Sequence, residues 1–302
     1  MLGISTCWWE NKQYTGSMII DDILELGLRG VELEYRITLS VYEEMKSRLK
    51  EDIKVLSLHN YFPRPAERMD KYPSGDLFLL SSEDASERDD AIKHTMTTIE
   101  YAERLGASCI VLHLGYVDLP FFVDDFRKIR DQGKDNKAKL MGLIDRHKSD
   151  RIKKGLKQLD SLFLSLEKLN REAVKRNVFL CIENRYYFSE MPSFDEIGAI
   201  IQEFHGGMIR YWHDTGHGTV QENLGICPQK DLLEAYADHM AGIHLHDVKW
   251  LEDHLAPGQG NVDFNMIKSY LKPSTLKILE LDGKRVNRDG LIRGIEFCEK
   301  YF

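Results

Sequence analysis

The sequence has little that would let it span a membrane or depend on disulfide bonds. It has no apolar run near the roughly 18 residues of a membrane-spanning helix, and its first residues, MLGISTCWWENK, lack the basic stretch and apolar core of a secretory signal. Its five cysteines are scattered and form no CxxC pair; they are Cys7, Cys109, Cys181, Cys227 and Cys298. These absences argue against a disulfide framework or a cysteine-rich zinc site, and they predict a cytoplasmic protein with reduced thiols.

The chain also has fewer basic residues than acidic residues. Lys and Arg number 41 against 49 Asp and Glu, which gives a net charge of −8 at pH 7. A chain of this charge has no general attraction to polyanions, so we expect no nucleic-acid partner. The apolar fraction of 42% is that of an ordinary globular protein, and 302 residues suffice for one large domain.

The chain alternates short strand-like runs with helical patterns. The runs are rich in apolar and β-branched residues and lie at 3–7, 30–35, 54–59, 108–113, 178–183, 208–214, 242–247 and 277–281. Apolar residues recur at three- and four-residue steps over 150–176, and further helices are predicted at 17–28, 39–50, 84–105, 193–204, 228–237, 263–271 and 287–301. Eight strand–helix units predict an α/β fold, a single (β/α)8 TIM barrel over residues 1–302.

An open doubly wound sheet is the structural alternative. Such a sheet usually carries a glycine-rich phosphate loop after its first strand. Here the first strand is followed by WWENKQYTG, which contains no such loop, so the barrel is favoured. Residues 117–149 form a long excursion after strand 4. We expect this excursion either to cover the barrel mouth or to be a surface insertion.

Imidazole and carboxylate groups stand at the ends of six consecutive predicted strands. They are His59, His113, Glu183, Asp214, His244 and Glu280, and the loops that follow add His217, Glu252 and His254. In a TIM barrel the carboxyl ends of the strands meet at one rim, where the active sites lie. Groups crowded together in this way would repel or lack partners unless a cation lay among them. The pattern predicts a divalent metal site and no organic cofactor; acids favour Mn²⁺, Mg²⁺ or Co²⁺, and imidazoles favour Zn²⁺.

Strand geometry distinguishes His244 from His246. The two residues are two positions apart, so their side chains face the same side of the strand. His244 lies deeper in the strand and is the better candidate to share a centre with Glu183, Asp214 and Glu280. His246 and Asp247 would then orient the ligands.

The motifs VLHLG, CIENR, HDTGH, IHLHD, DHLAPGQG and ILELDG follow one another along the chain. In these motifs the chain resembles the xylose-isomerase-like TIM-barrel superfamily, which includes sugar isomerases and epimerases, inosose dehydratase-like proteins and the apurinic-site endonucleases (AP endonuclease family 2). The resemblance implies one metal ion at Glu183, Asp214, His244 and Glu280. It also implies a second ion at His59, His113 and Glu183, and a third at His217, His254 and Glu252. The nucleases have aspartate at the position of Glu252, and the ketose epimerases have arginine at that of Trp250.

The leading functional hypothesis is a divalent-metal-dependent isomerase or epimerase. Its substrate would be a sugar, a sugar phosphate or a related polyol, and the reaction would pass through a metal-stabilised enediolate. Glu183 and Glu280 would be the catalytic acid/base pair, and His217 would carry a proton to a substrate oxygen. Candidate substrate-binding residues are Arg185, Lys249, Trp8 and Tyr116.

Other functions stay open at this point. One is a multi-zinc phosphodiesterase that resembles the apurinic-site endonucleases. Another is an inosose dehydratase-like lyase, which would share the enolate step with an isomerase. A non-catalytic barrel that senses sugars is the third. The expected partner is a small carbohydrate, and a homodimer is compatible with a barrel.

Overall fold

A computed structural model describes residues 1–10, 14–49, 51–119, 122–131 and 137–302. Its barrel strands are β1 (Leu2–Ser5), β2 (Gly30–Leu33), β3 (Lys54–His59), β4 (Cys109–Leu112), β5 (Phe179–Glu183), β6 (Ile209–Asp214), β7 (Met240–Leu245) and β10 (Leu276–Leu279). They pair in parallel and close in the order β1-β10-β7-β6-β5-β4-β3-β2. An antiparallel hairpin of β8 (Asp247–Lys249) and β9 (Glu252–Leu255) follows β7. The predicted TIM barrel is confirmed.

Helices connect the strands. They are α1 (Gly16–Glu25), α2 (Leu39–Met45), α3 (Ala85–Leu105), α4 (Phe122–Asp131), α5 (Lys137–Arg176), α6 (Phe194–Glu203), α7 (Thr215–Asn223), α8 (Gln229–Tyr236), α9 (Phe264–Lys268) and α10 (Arg288–Tyr301). Every predicted helix is present, although Lys50, the last residue predicted for α2, lies outside the described residues. Helices α4 and α7 were not predicted. Helix α7 begins directly after β6, where Asp214 caps it.

The excursion after β4 is largely helical. Helix α5 begins at Lys137, so the end of the 117–149 segment belongs to this helix; residues 120, 121 and 132–136 lie outside the described residues. Phe122, Val123 and Phe126 of α4 form an apolar cluster with residues of α7, β8 and their loops, namely Val220, Leu224, Ile226, Val248 and Leu251. The excursion therefore packs over the elements that follow β6 and β7, at the carboxyl end of the barrel.

Alternate strand residues build an apolar layer inside the barrel. This layer consists of Leu56, Cys109, Val111, Cys181, Trp212 and Ile278. Because side chains alternate along a strand, residues two positions further on face the interior as well. Two positions beyond Cys181, Trp212 and Ile278 lie Glu183, Asp214 and Glu280. The barrel thus carries a layer of acids above its apolar layer, toward the carboxyl ends of the strands.

The cysteines all carry free thiols, and those other than Cys227 are buried. Cys109 and Cys181 both lie in the apolar layer. Within the described residues, no helix combines the length and the apolar character that crossing a bilayer requires.

Trp212 fits inside the barrel because a glycine lies beside it on β7. A Cβ atom on Gly242 would lie only 2.1 Å from Trp212 Cζ3. The Trp212 ring is fully buried, and its centroid lies 5.1 Å from that of His244. Gly242 therefore lets a large ring lie directly below the polar layer.

Gly242→Ala is expected to lower the free energy of unfolding by about 1–3 kcal/mol, because the added methyl group overpacks the barrel interior. The measurement is the thermal unfolding midpoint, followed by circular dichroism. Gly142 on α5 is the matched control, since a Cβ there meets nothing within 4 Å. Gly142→Ala should be stabilising by roughly 0.4–1 kcal/mol. A Gly242→Ala protein with the wild-type midpoint would contradict this packing.

Candidate functional site

Four polar groups converge in the acidic layer. Glu183 ends β5, Asp214 ends β6, His244 lies near the end of β7 and Glu280 directly follows β10. One ligand atom of each lies within 4.8 Å of the others, and all four residues are buried. The structure therefore brings together the four residues proposed for a single metal ion.

His244 Nδ1 is the atom at which the carboxylates meet. It lies 2.7 Å from Glu183 Oε1, 3.0 Å from Glu280 Oε2 and 3.7 Å from Asp214 Oδ2. One ring nitrogen carries at most one proton, so it cannot compensate three buried carboxylates that repel one another. A divalent ion among them would do so. Carboxylates with one imidazole are a donor set that Mn²⁺, Mg²⁺, Co²⁺ and Zn²⁺ all accept.

The surrounding histidines keep these carboxylates ionised. Burial alone would raise the pKa of Glu183, but hydrogen bonds from His113 and His244 hold that pKa well below its usual value. Burial also acts to raise the pKa of Glu280, yet the nearby His244 lowers it to about 2. Carboxylates bind metal ions in their ionised form, so these ligands need lose no proton at neutral pH.

The other ring nitrogen of His244 contacts Glu32, which sequence reasoning missed. His244 Nε2 lies 3.1 Å and 3.2 Å from the two Glu32 carboxylate oxygens. Ser57 Oγ donates a hydrogen bond of 2.8 Å to Glu32 Oε2, and both residues are fully buried. Glu32 can keep a proton on Nε2, so an ion that displaced the Nδ1 proton would meet the Nδ1 lone pair, which is the tautomer that a metal ligand needs. The signal in the sequence was an acid within the buried strand GVELEY.

Asp214 is oriented by α7 and by β7. Its Oδ1 accepts a hydrogen bond of 2.6 Å from His217 N, at the start of α7. His246 Nε2 lies 2.9 Å from both Asp214 oxygens, and His246 Nδ1 accepts a hydrogen bond of 2.9 Å from His254 N. Because Nδ1 is the acceptor, Nε2 carries the proton and donates to Asp214. His246 thus supports a candidate ligand.

Asp247 organises the loop after the hairpin. Its carboxylate accepts hydrogen bonds of 2.8–3.0 Å from the backbone N–H groups of Val248, Gly258, Gly260 and Val262. Gly260 allows this close approach, since a Cβ there would lie 2.2 Å from Val248 O. The APGQG turn therefore folds back against β8 and holds the hairpin that carries His254.

A second group of candidate ligands lies beside Glu183. His59, His113 and Glu183 offer ligand atoms within 4.8 Å of one another. His113 Nε2 lies 3.2 Å from Glu183 Oε2, and His113 Nδ1 lies 3.1 Å from Asp76 Oδ2. Arg185 Nη1 donates a hydrogen bond of 2.7 Å to the same Glu183 Oε2. Asp76 comes from the irregular segment after β3, where no pattern indicated a role.

A third group consists of His217, His246 and His254, again with ligand atoms within 4.8 Å. The acid beside it is Asp253, whose Oδ2 lies 3.0 Å from His254 Nδ1. Glu252, the acid proposed from the resemblance, is exposed instead. Side chains alternate along β9, so only one of these adjacent acids can face the site.

A cavity of about 350 Å³ opens onto these groups. Glu183, Glu280 and His217 line it, together with His59, His113, Arg185 and His254. Tyr186, Tyr187 and Arg127 also line the cavity, and Arg127 belongs to α4. The excursion after β4 therefore contributes a wall of the cavity. The volume lies in the range of small-molecule sites.

Three of the residues predicted to bind substrate do not line this cavity. Lys249 is exposed on β8, and the Tyr116 side chain is 48% exposed. Trp8 is buried in the main core, where its Nε1 donates a hydrogen bond of 3.0 Å to Val286 O. Of the four residues predicted to bind substrate, Arg185 alone is among the described residues that line the cavity.

A model of the xylose isomerase-like TIM barrel family matches residues 20–301. The chain belongs to this family. The family indicated by the motifs is thereby confirmed. No curated protein sequence matches the chain.

Solved structures of sugar epimerases share the fold of this family member. D-allulose 3-epimerase from Methylomonas sp. superimposes with a TM-score of 0.69 at 14% identity, over 100% of this chain and 97% of that chain. 3-keto-D-glucoside 4-epimerase from E. coli gives 0.67 at 13% identity, over 99% and 98%. D-psicose 3-epimerase from Clostridium cellulolyticum H10 gives 0.65 at 13% identity, over 99% and 98%. At these identities the likeness establishes the fold alone.

Glu32→Gln is expected to weaken metal binding by about 10- to 100-fold, because the amide no longer favours a proton on His244 Nε2. The measurement is calorimetric titration of the metal-free protein with Mn²⁺, and ¹⁵N NMR of the histidine ring reports the tautomer. Glu299→Gln, at an exposed position on α10, is the control and should bind like the wild type. Equal affinity of Glu32→Gln and wild type would show that His244 is positioned without Glu32.

Proposed function

We propose that this chain is a divalent-metal-dependent isomerase or epimerase of a sugar, a sugar phosphate or a related polyol. The observation that carries the proposal is the meeting of Glu183, Asp214 and Glu280 at His244 Nδ1, beside a cavity of small-molecule size. The sugar epimerases that share the fold support it.

Glu183, Asp214, His244 and Glu280 would hold the ion. When bound, the ion supplies Lewis acidity toward a substrate carbonyl and stabilises the negative charge that develops when a proton leaves the neighbouring carbon. The chain's own residues must then bind the substrate and move the proton.

Glu183 and Glu280 are the proposed acid/base pair. They belong to β5 and to the end of β10, and β6 and β7 lie between these strands in the barrel. The two carboxylates therefore reach the cavity from different sides. Epimerisation takes a proton from one face of a carbon and returns it to the other, which requires two such groups. Both have lowered pKa values and are ionised at neutral pH, so either can accept the first proton. The other carboxylate must take up a proton from water or from a substrate hydroxyl before it returns one to the opposite face of the carbon.

His217 is proposed to exchange a proton with a substrate oxygen. Its Nδ1 lies 3.0 Å from Asn184 O, and a carbonyl can only accept, so Nδ1 carries the proton. When the ring is neutral, Nε2 therefore carries no proton and can accept one. Because His217 lines the cavity, this nitrogen is placed to serve a substrate hydroxyl.

A multi-zinc phosphodiesterase is the second candidate function. The two additional histidine groups favour it, because such hydrolases clamp the attacking and leaving oxygens between ions. However, His246 of the third group already uses both ring nitrogens, toward Asp214 and His254 N. The net charge of −8 also disfavours a nucleic-acid substrate. A lyase would begin with the same proton removal as the isomerase and would differ in releasing water.

Isotope exchange tests the proposal directly. The Mn²⁺-loaded protein is incubated in D₂O with ketoses, their phosphates and inososes, and NMR follows each carbon-bound proton. At least one compound is expected to lose a single C–H signal, with a chelator stopping the exchange and added Mn²⁺ restoring it. Nicking of abasic DNA without exchange in any compound would replace the proposal with the hydrolase.

Glu280→Gln should slow the exchange by about 10²–10⁴-fold, since an amide cannot accept the proton. The rate is measured at Mn²⁺ concentrations that saturate the variant, so that turnover is compared separately from metal binding. Glu252→Gln, at the exposed acid on β9, is the matched control and should exchange at the wild-type rate. An undiminished rate in Glu280→Gln would remove Glu280 from the acid/base pair.

A further inference from the structure

We propose that the guanidinium of Arg185 occupies the place of a second metal ion beside Glu183, so that the chain binds one divalent ion. This inference rests on the metal centre proposed above. It concerns the group of His59, His113 and Glu183, which the family resemblance indicated as ligands of a second ion.

The side chains around this place are arranged as for a metal ion. His113 Nδ1 lies 3.1 Å from Asp76 Oδ2, which can hold a proton on Nδ1, so that Nε2, the donor to Glu183, is the nitrogen that an ion would have to deprotonate. The same relation holds between Glu32 and His244 at the first centre. Carboxylates that hold the outer nitrogen of a metal-binding histidine are common in metalloproteins.

The second place differs from the first because the guanidinium of Arg185 already lies in it. Arg185 Nη1 donates a hydrogen bond of 2.7 Å to Glu183 Oε2, the oxygen that faces His113, whereas Glu183 Oε1 faces His244 at the first centre. An ion there would need that oxygen at about 2.0–2.2 Å, within the space that the guanidinium fills. The positive charge of Arg185 would also repel the ion at close range.

Arg185 is held firmly in this position. Its Nη2 donates a hydrogen bond of 2.8 Å to Glu190 Oε1 and lies 3.6 Å from Asp76 Oδ2. Arg185 is 5% exposed, and its charge is balanced by the three acids around it. A guanidinium that bridges carboxylates in this way is stabilised by its charge-assisted contacts, and moving it would leave the buried carboxylates without a cation.

The loop that carries Glu190 is fixed in turn by Arg151 of α5. Arg151 donates hydrogen bonds of 2.7 Å to Phe188 O and 2.8 Å to Glu190 O. Two further N–H groups pair with both carboxylate oxygens of Glu196 on α6, at 2.6 Å and 2.9 Å. Arg151 is 3% exposed, so these contacts are shielded from water. The loop therefore cannot easily swing Arg185 away.

One chemical consequence follows for His59 and His113. With Arg185 in place they line the cavity as hydrogen-bonding groups and do not ligate an ion. A single ion beside two carboxylates suits proton transfer at carbon, whereas hydrolysis by paired ions needs the place that Arg185 fills.

The test counts metal ions by calorimetric titration with Mn²⁺ and by elemental analysis of the dialysed protein. The wild type is expected to bind one equivalent. Arg185→Gln should bind a second, weaker equivalent, because Glu183, Glu190 and Asp76 lose their cation. Adding His113→Ala to Arg185→Gln should abolish the second equivalent. Two Mn²⁺ ions sharing Glu183 should also give a spin-coupled EPR spectrum that the wild type lacks.

Arg285→Gln is the matched control, since Arg285 lines the same cavity but pairs with Asp282, at 3.3 Å. It should keep the single equivalent. Binding of two Mn²⁺ equivalents by the wild type would overturn the proposal, and this result does not depend on whether Arg185→Gln folds. Binding of only one Mn²⁺ equivalent by a well-folded Arg185→Gln would also overturn it. Counting bound ions does not require catalytic activity. A protein that binds one ion but catalyses no isotope exchange would therefore contradict the proposed isomerase function without contradicting the proposal about Arg185.

Discussion

The site depends on like charges that the barrel forces together. Glu183, Asp214 and Glu280 lie within 3.7 Å of His244 Nδ1, and Glu32 approaches the opposite nitrogen to 3.1 Å. Acids this close together in a buried layer repel one another and have lost much of their hydration. Strand pairing and the apolar layer beneath hold them in place. A cation that binds the folded chain relieves this repulsion, and it therefore also stabilises the fold.

Barrel closure is what makes the central contact available. Glu32 lies on β2 and His244 on β7, and these strands are separated by β1 and β10 around the barrel. Their side chains meet across the interior, which an open sheet could not provide. The other orienting contact, from His246 to Asp214, joins the neighbouring strands β6 and β7. The ligands are thus fixed both around the barrel wall and across its interior.

The strands, the family and the four central residues were predictable because they depend on local patterns. A residue at the end of a buried strand must lie at the barrel rim, so Glu183, Asp214 and Glu280 could be grouped without a structure. Glu32 could not, since its contact with His244 requires the barrel to close. Helix α7 escaped prediction because its sequence, TGHGTVQEN, has two glycines and little apolar periodicity. Asp76 lies in an irregular loop, where no periodicity indicates which side chain faces the site.

Isomerases and hydrolases can share one barrel fold, so the fold alone does not identify the reaction. The features that distinguish these reactions must come from the segments around the barrel. Two such features point the same way. Helix α4 packs over α7 and supplies Arg127 to a cavity of about 350 Å³, a volume that suits a small molecule rather than a nucleic-acid duplex. Arg185, two residues beyond the end of β5, brings a fixed cation to Glu183. Hydrolysis of a phosphodiester polymer would need an open groove and several ions. Proton transfer on a sugar, the proposed function, needs a small cavity, one Lewis acid and two carboxylates. The chain has the cavity and the carboxylates, and Glu183, Asp214, His244 and Glu280 would hold the ion.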